Sequence, residues 1–337
     1  MLEHSNIFCT GGAGTLGRAI ARRRKEEGWT GRFTVYSRDE HKHSYMRKAY
    51  PDIQYIQGDI RNLETLKLAM AGHDVVVHAG AVKVIPVSEY SSIDTLDINV
   101  FGSQNVCIAA REMGVEHVLG ISTDKACHPA NAYGATKMMM EKIFQEYARA
   151  GGDTQFHLVR YGNVLESTGS VVEAWKTSID AGLPVKITDR DMTRFWLSPS
   201  QAVDYVIKAL EFLPGLIYVP KMPGLKIETL LEYITGENIA DLDNGFEIIP
   251  LRPGEKMHET LVTVDELKKT VGVRDGNCEY FIVFPSTSNQ LARRDIPRFL
   301  SGFDSSDLTL DYPATPYTSD IARELTQGDL MELLADE

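Results

Sequence analysis

No stretch of this 337-residue sequence stays apolar for the roughly 18 residues that a membrane span requires, so an integral helical membrane protein is not expected. Cysteine is scarce as well. Cys9, Cys107, Cys127 and Cys278 stand without metal-ligand spacing, which argues against a zinc site or a disulfide framework. Positive charge is in deficit, with 35 Lys and Arg against 47 Asp and Glu and a formal net charge of −12. The longest basic run, Arg22-Arg23-Arg24-Lys25, is followed at once by Glu26 and Glu27, so it reads as a solvated helix face and nucleic-acid binding is disfavoured. The first ten residues run straight into a strand and a glycine turn, leaving no room for a signal peptide; a cytoplasmic, reduced location is the expectation. Neither an internal repeat nor a low-complexity tract occurs. What remains is an ordinary globular composition, 43% hydrophobic and 24% charged, on a chain longer than one core usually covers.

Through the first half, short β-branched runs alternate with amphipathic stretches. Strands are expected at 6–10, 33–37, 53–57, 75–79, 117–122 and 156–161, and helices at about 16–27, 63–71, 92–113 and 133–150. Gly28, Gly72 and Gly114 fall where a left-handed residue would stop three of these helices. Such alternation builds right-handed βαβ units, so the fold class is α/β: a doubly wound parallel sheet of the Rossmann type with a smaller mixed α/β region for substrate. The expected division is a dinucleotide-binding unit over 1–165, with 198–220 packing back onto it, a substrate region from 166–197 and 221–285, and a wrapping segment over 286–337.

Thr10-Gly11-Gly12-Ala13-Gly14-Thr15-Leu16-Gly17 leaves the first strand and opens the first helix. Glycines at 11, 14 and 17, with Thr15 and Leu16 between them, put backbone N–H groups and a helix N-terminus where a pyrophosphate must approach. At the end of the second strand a carboxylate would select NAD, whereas a cation would pair with the 2′-phosphate of NADP. Here Tyr36-Ser37-Arg38-Asp39 is followed by Lys42, and Ser37, Arg38 and Lys42 favour NADP. Asp59 ends the third strand, where its carboxylate can meet an adenine amino group while Ile60 covers the ring. The small residues Ala79, Gly80 and Ala81 let the backbone after the fourth strand pass close to a cofactor.

Tyr133 and Lys137 lie four apart on one helix face, and Ser122-Thr123-Asp124-Lys125 closes the strand just before them. A hydroxyl, an acid and an amine are thereby expected to meet the tyrosine in one pocket. A tyrosine acting as base near neutral pH needs a nearby ammonium to favour its phenolate, and a buried lysine is expected to have a depressed pKa of its own.

These residues carry a resemblance. The three glycines, Ser122-Thr123 and Tyr133/Lys137 are similar to the extended short-chain dehydrogenase/reductases. Tyr36-Ser37-Arg38-Asp39-Glu40, Ser122-Thr123-Asp124-Lys125-Ala126, Asn131-Ala132-Tyr133-Gly134-Ala135-Thr136-Lys137, Arg160-Tyr161-Gly162-Asn163-Val164, Asp191-Met192-Thr193-Arg194-Phe195 and Arg252-Pro253-Gly254-Glu255-Lys256 resemble, over nearly the whole chain, inverting UDP-N-acetylglucosamine 4,6-dehydratases of polysaccharide and pseudaminic-acid biosynthesis. The resemblance implies C4 oxidation by NADP, C5 deprotonation, loss of water from C6 and return of the same hydride to C6. It gives Tyr133 the C4 hydroxyl proton, Thr123 a hydrogen bond to that oxygen, and Lys137 the tuning of Tyr133 and the nicotinamide ribose. Lys125 is implied as base at C5 and Asp124 as acid at C6. Lys83, Asn163, Arg194, Arg252 and Glu255 are implied as contacts for a UDP-N-acetylhexosamine, Arg252 on a phosphate and Glu255 on a ribose; His258 receives no role. A homo-oligomer without a metal is expected. Two other readings stand: a UDP-N-acetylhexosamine 4-epimerase, which has no need of Asp124 or Lys125, and a non-catalytic NADP-binding regulator.

Overall fold

The computed structural model describes residues 2–165, 167, 169–242, 245–252, 254–276, 278–286 and 309–335. Its centre is a parallel sheet. Strand β1 (Ile7–Thr10), made of Ile7, Phe8, Cys9 and Thr10, is wholly buried and pairs with β2 (Phe33–Ser37) on one side and β4 (Val75–His78) on the other. β3 (Gln54–Gln57) lies beyond β2, while β5 (His117–Thr123) and β6 (Gln155–Tyr161) follow β4. The order 3-2-1-4-5-6 reverses between β1 and β4, which opens a crevice past the carboxyl ends of those strands.

Helices α1 (Thr15–Glu27), α2 (Glu40–Ala49), α3 (Leu63–Met70), α4 (Ile85–Tyr90), α5 (Ser92–Leu96), α6 (Gly102–Glu112) and α7 (Ala132–Arg149) make the crossovers. Gly28 ends α1 in the left-handed region, and Gly72 and Gly114 take positive φ just past α3 and α6. The continuous helix expected over 92–113 is instead broken by a π turn at Asp97–Phe101. There the Asn99 side chain accepts from Val82 N–H (2.8 Å) and donates to the Val82 carbonyl (2.9 Å) and to Thr136 Oγ1 (3.0 Å), clamping the segment after β4 to α7. Helix α2 escapes the periodicity because only His43 and Met46 of its ten residues are buried.

The sheet is wider than the six expected strands. Ile217–Pro220 adds a seventh parallel strand beside β6, and Cys278–Val283, Thr270–Asp275 and Thr309–Asp311 extend it antiparallel. The strands Thr270–Asp275 and Cys278–Val283 bury Val271, Val273, Phe281 and Val283 in the large core. A second core holds Trp175, Trp196, Leu230 and Leu231. The C-terminal segment does more than wrap: helix Gln327–Ala335 plants Leu330 and Leu333 in this second core. The rest of the expected wrapping segment, 287–308, lies outside the described residues, and so does Pro253. Among the described residues no helix is long and apolar enough to cross a membrane.

One buried charge network ties β5, β6, α7 and the 260s together. The Arg160 guanidinium donates to both Glu141 oxygens (2.9 and 2.8 Å), to both Glu266 oxygens (2.9 and 3.0 Å) and to the Leu261 carbonyl (2.9 Å), while Ser122 Oγ donates to Glu141 at 2.6 Å. Burial would raise the Glu266 pKa, yet Arg160 holds it at about 2. Removing the cation would strand two carboxylates in the interior. Arg160→Met is expected to lose about 3–5 kcal/mol of stability in urea unfolding at neutral pH, whereas parental stability would mean that the two acids find other partners.

Candidate active site

The phosphate cradle is built from close backbone contacts. Gly11 has φ +66, and a Cβ there would sit 2.8 Å from Gly80 Cα, so only glycine lets the β1 turn pass the Ala79-Gly80 turn. A Cβ at Gly17 would lie 1.9 Å from the Gly12 carbonyl; this third glycine serves helix-to-turn packing more than ligand approach. Gly14 meets only the Gly11 carbonyl at 3.1 Å and caps α1 with no side chain, whereas Asp39, Asn62 and Asn131 cap α2, α3 and α7. The N-cap of α1 thus offers no side-chain acceptor to its first N–H groups, and the cradle fits a dinucleotide pyrophosphate.

Around the adenosine end the side chains already have partners. Ser37 Oγ bonds His43 Nε2 at 2.7 Å, and Asp59 is held by Arg61 (2.6 Å) with Arg38 at 4.0 Å. Ile60 packs under Gly102 as part of the core, and Lys42 lies 3.7 Å from Asp39. Arg38 and Lys42 nonetheless keep 55% and 45% of their side-chain surface exposed, enough to turn toward a ligand. His78 is a structural group: burial pushes its pKa to about 3, and it joins Thr10 Oγ1 (2.7 Å) to Ser103 Oγ (2.9 Å).

At the end of β5 the chain tightens into a short 3-10 turn, Asp124–Ala126. Thr123 Oγ1 donates to Asp124 Oδ1 at 2.8 Å, and Lys125 Nζ donates to the same oxygen at 3.0 Å and to Asn163 Oδ1 at 3.2 Å. Asp124 is fully buried, and its Oδ2 has no hydrogen-bond partner among the described residues. Helix α7 lies directly on this turn because position 134 is glycine: a Cβ there would fall 2.2 Å from the Lys125 carbonyl oxygen. Asn131 caps the helix by accepting from Gly134 N–H (2.8 Å), and Glu89 accepts from Ala132 N–H. Tyr133 is thereby set beside Thr123, Asp124 and Lys125.

Two electrostatic expectations change. Burial alone would lower the Lys125 pKa, but the Asp124 and Glu259 carboxylates outweigh it and hold the ammonium above the ordinary lysine value. For Tyr133, burial raises the pKa first and foremost; Lys125 and the Thr123 hydrogen bond oppose it, and Asp124 adds to it. Lys137 is itself buried beside Met140 Sδ (3.0 Å), and burial lowers its pKa to about 8 despite the pull of Glu141.

The segment expected to hold the far end of a substrate docks on this helix cap. Gly254 has φ +74, and its carbonyl accepts from Asn131 Nδ2 at 2.9 Å; Lys256 Nζ donates to the Cys127 carbonyl at 2.6 Å. Arg252 is exposed, and its N–H donates to Glu255 Oε2 at 3.2 Å. Buried Arg194 lies 3.6 Å from Glu255 and 3.8 Å from Glu259. Lys83 is exposed, its pKa pushed down first by the protein around it and then by the Lys42 ammonium. His258 bonds Thr193 Oγ1 at 2.9 Å. Sequence reasoning missed Glu259 and Glu89, whose contacts come only from tertiary folding.

A model of the polysaccharide biosynthesis protein family matches residues 7–277. The chain is 37% identical over 292 residues to an inverting UDP-N-acetylglucosamine 4,6-dehydratase of Campylobacter jejuni, covering 85% of this chain and 84% of that one. It is also 37% identical over 283 residues to a UDP-glucose 4-epimerase of Rickettsia conorii, covering 82% of each. Among solved structures, Pen from Bacillus thuringiensis superposes with a TM-score of 0.83 at 29% identity over 100% of both chains.

Burial of Lys137 has a measurable consequence. A cation whose folded pKa lies below its unfolded value binds fewer protons folded than unfolded, so stability rises with pH between about 8 and 10.5. Denaturant unfolding of the ligand-free protein across that window should show this rise, reduced in Lys137→Met; equal slopes would mean that Lys137 is solvated.

Proposed function

Because this chain belongs to the polysaccharide biosynthesis protein family of extended short-chain dehydrogenase/reductases, we propose that it is an NADP-dependent UDP-N-acetylglucosamine 4,6-dehydratase that inverts C5. The observation that carries this reading is the Asp124–Lys125 pair, an acid and an amine 3.0 Å apart beside Tyr133. A 4-epimerase keeps the C6 oxygen and gains nothing from such a pair.

On this reading Tyr133 accepts the proton of the C4 hydroxyl and Thr123 hydrogen-bonds that oxygen, while Lys137 meets the nicotinamide ribose. A bound nicotinamide would supply the hydride acceptor for C4 and the donor for C6. Once C4 is a ketone, the C5 proton is acidic. Lys125, an ammonium at rest, passes its proton along the hydrogen bond to Asp124; the amine so formed takes the C5 proton, and Asp124 gives its proton to the leaving C6 oxygen. Each group regains its starting charge as water departs. A solvent proton delivered to the opposite face of C5 gives inversion, and Tyr133 releases the C4 hydroxyl proton to solvent, so that protons balance over the cycle.

For the cofactor we assign Gly11, Gly14, Thr15, Leu16 and Gly17 to the pyrophosphate, Asp59, Ile60, Ala79, Gly80 and Ala81 to the adenosine and nicotinamide sides, and Ser37, Arg38 and Lys42 to a 2′-phosphate. Lys83, Asn163, Arg194, Arg252 and Glu255 are assigned to the UDP-sugar, which must compete with the Arg194–Glu255 pair for two of them. The reading includes a cytoplasmic homo-oligomer, for which exposed Tyr90, Ile93 and Phe101 supply apolar surface.

UDP-N-acetylglucosamine carrying deuterium at C4 should give a 4-keto-6-deoxy product with that deuterium at C6, and the unlabelled sugar in deuterated water should acquire deuterium at C5, both read by NMR. Retention of the C6 hydroxyl with change at C4 would establish the epimerase instead. Lys125→Ala should still oxidise C4, seen as reduced-nicotinamide absorbance, though more slowly because Tyr133 loses the cation that opposes its raised pKa, and should lose C5 exchange with a fall of about 10²–10⁴ in dehydration. Normal dehydration by that variant would remove Lys125 from the reaction.

The protein should also bind NADP more tightly than NAD in calorimetric titration, and Arg38→Asp should erase or reverse the preference. Equal affinity in the parent protein would refute the assignment of Arg38 and Lys42.

A further inference from the structure

Glu259 is a buried carboxylate that the proposed chemistry leaves unused. Its Oε1 lies 3.6 Å from Lys125 Nζ and 3.8 Å from Arg194 Nε, and its Oε2 lies 3.8 Å from Lys256 Nζ. That Oε2 has no hydrogen-bond partner among the described residues, although the side chain is only 4% exposed. Its backbone is fastened, since the Glu259 N–H donates to Ser319 Oγ at 2.9 Å and the Glu259 carbonyl accepts from the Ser319 N–H at 2.9 Å. A buried carboxylate without a close hydrogen bond is costly, so its place is explained by the cations it faces.

Lys125 is faced by Asp124 on its own turn, by Tyr133 on α7, by Asn163 after β6, and by Glu259 and Arg194 from the second region, with Lys83 farther off. Two carboxylates thus hold one ammonium from opposite ends of the sequence. Asp124 is bound to Lys125 by a hydrogen bond and can exchange a proton with it. Glu259, at 3.6 Å, acts through charge alone.

We propose that Glu259 is a positioning residue for Lys125: its fixed negative charge draws the lysine Nζ across the site between Asp124 and Asn163 and stabilises the ammonium each time Lys125 takes up a proton. The inference rests on the dehydratase reading for its catalytic consequence but not for the ion pair itself. Loss of the charge removes one of the two contributions that hold the Lys125 pKa up.

The test is a pH titration of Nζ in the full-length, ligand-free protein by ¹⁵N-lysine NMR, with Lys125→Gln used to assign the resonance. Glu259→Gln should lower the Lys125 midpoint by about one unit or more, as expected for a unit charge at this separation in partly screened surroundings. In the same variant, kcat with UDP-N-acetylglucosamine should fall on the order of 10²-fold while KM stays near the parental value, since a mispositioned group costs rate more than binding. Glu259→Asp keeps the charge on a shorter arm and should recover part of both effects; if the Gln protein does not fold, the Asp variant decides by its lowered midpoint. An unchanged Lys125 midpoint overturns the proposal, and so does a lowered midpoint with parental kcat. A parental protein inert toward UDP-N-acetylglucosamine overturns the dehydratase reading alone, because the titration still reports whether Glu259 holds Lys125.

Discussion

The close approach of α7 to the end of β5 is the constraint on which the rest of the site depends. It exists because Gly134 has no Cβ to strike the Lys125 carbonyl, and because Asn131 and Glu89 receive the first N–H groups of the helix. Tyr133 is brought by this approach against Thr123 and Lys125, and Lys137 is carried one turn deeper into the interior. The Arg160 network, reaching from Glu141 on α7 to Glu266, anchors the same helix from behind. Helix position, tyrosine environment and lysine burial are therefore one structural fact and not three.

The charges at the site come from segments far apart in the chain. Asp124 and Lys125 follow β5, whereas Arg194, Glu255, Lys256 and Glu259 lie much later in the sequence. Asp124 and Glu259 are buried and their cations at most partly exposed, so these pairs are weakly screened and strongly dependent on geometry. This explains why Lys125 is an ammonium at rest in a place where burial alone would neutralise it. A base that begins protonated must hand its proton to a neighbour before it can act, and Asp124 is the neighbour within hydrogen-bond distance.

The parallel sheet, its glycine turn and the Tyr133/Lys137 face were legible in the sequence, because each is written in local spacing: strand runs of a few residues, a turn that starts a helix, two side chains four apart. Helix α2 was not, since its buried side is only His43 and Met46, nor was the π turn, which exists to let Asn99 bridge Val82 and Thr136. The strands Thr270–Asp275 and Cys278–Val283 were not read, as an apolar run does not say which sheet edge it will join.

By itself the sequence determined the α/β alternation, the glycine turn between β1 and α1, and the chemical types gathered around Tyr133, for these follow from periodicity and from what a glycine or a Thr-Asp-Lys turn can do. Tertiary structure alone decided which groups surround Tyr133, which carboxylates surround Lys125, and in which direction that lysine's pKa moves. Protonation depends on the balance between burial and charges a few ångströms away. Residues as distant along the chain as Lys125 and Glu259 come this close only when the chain folds.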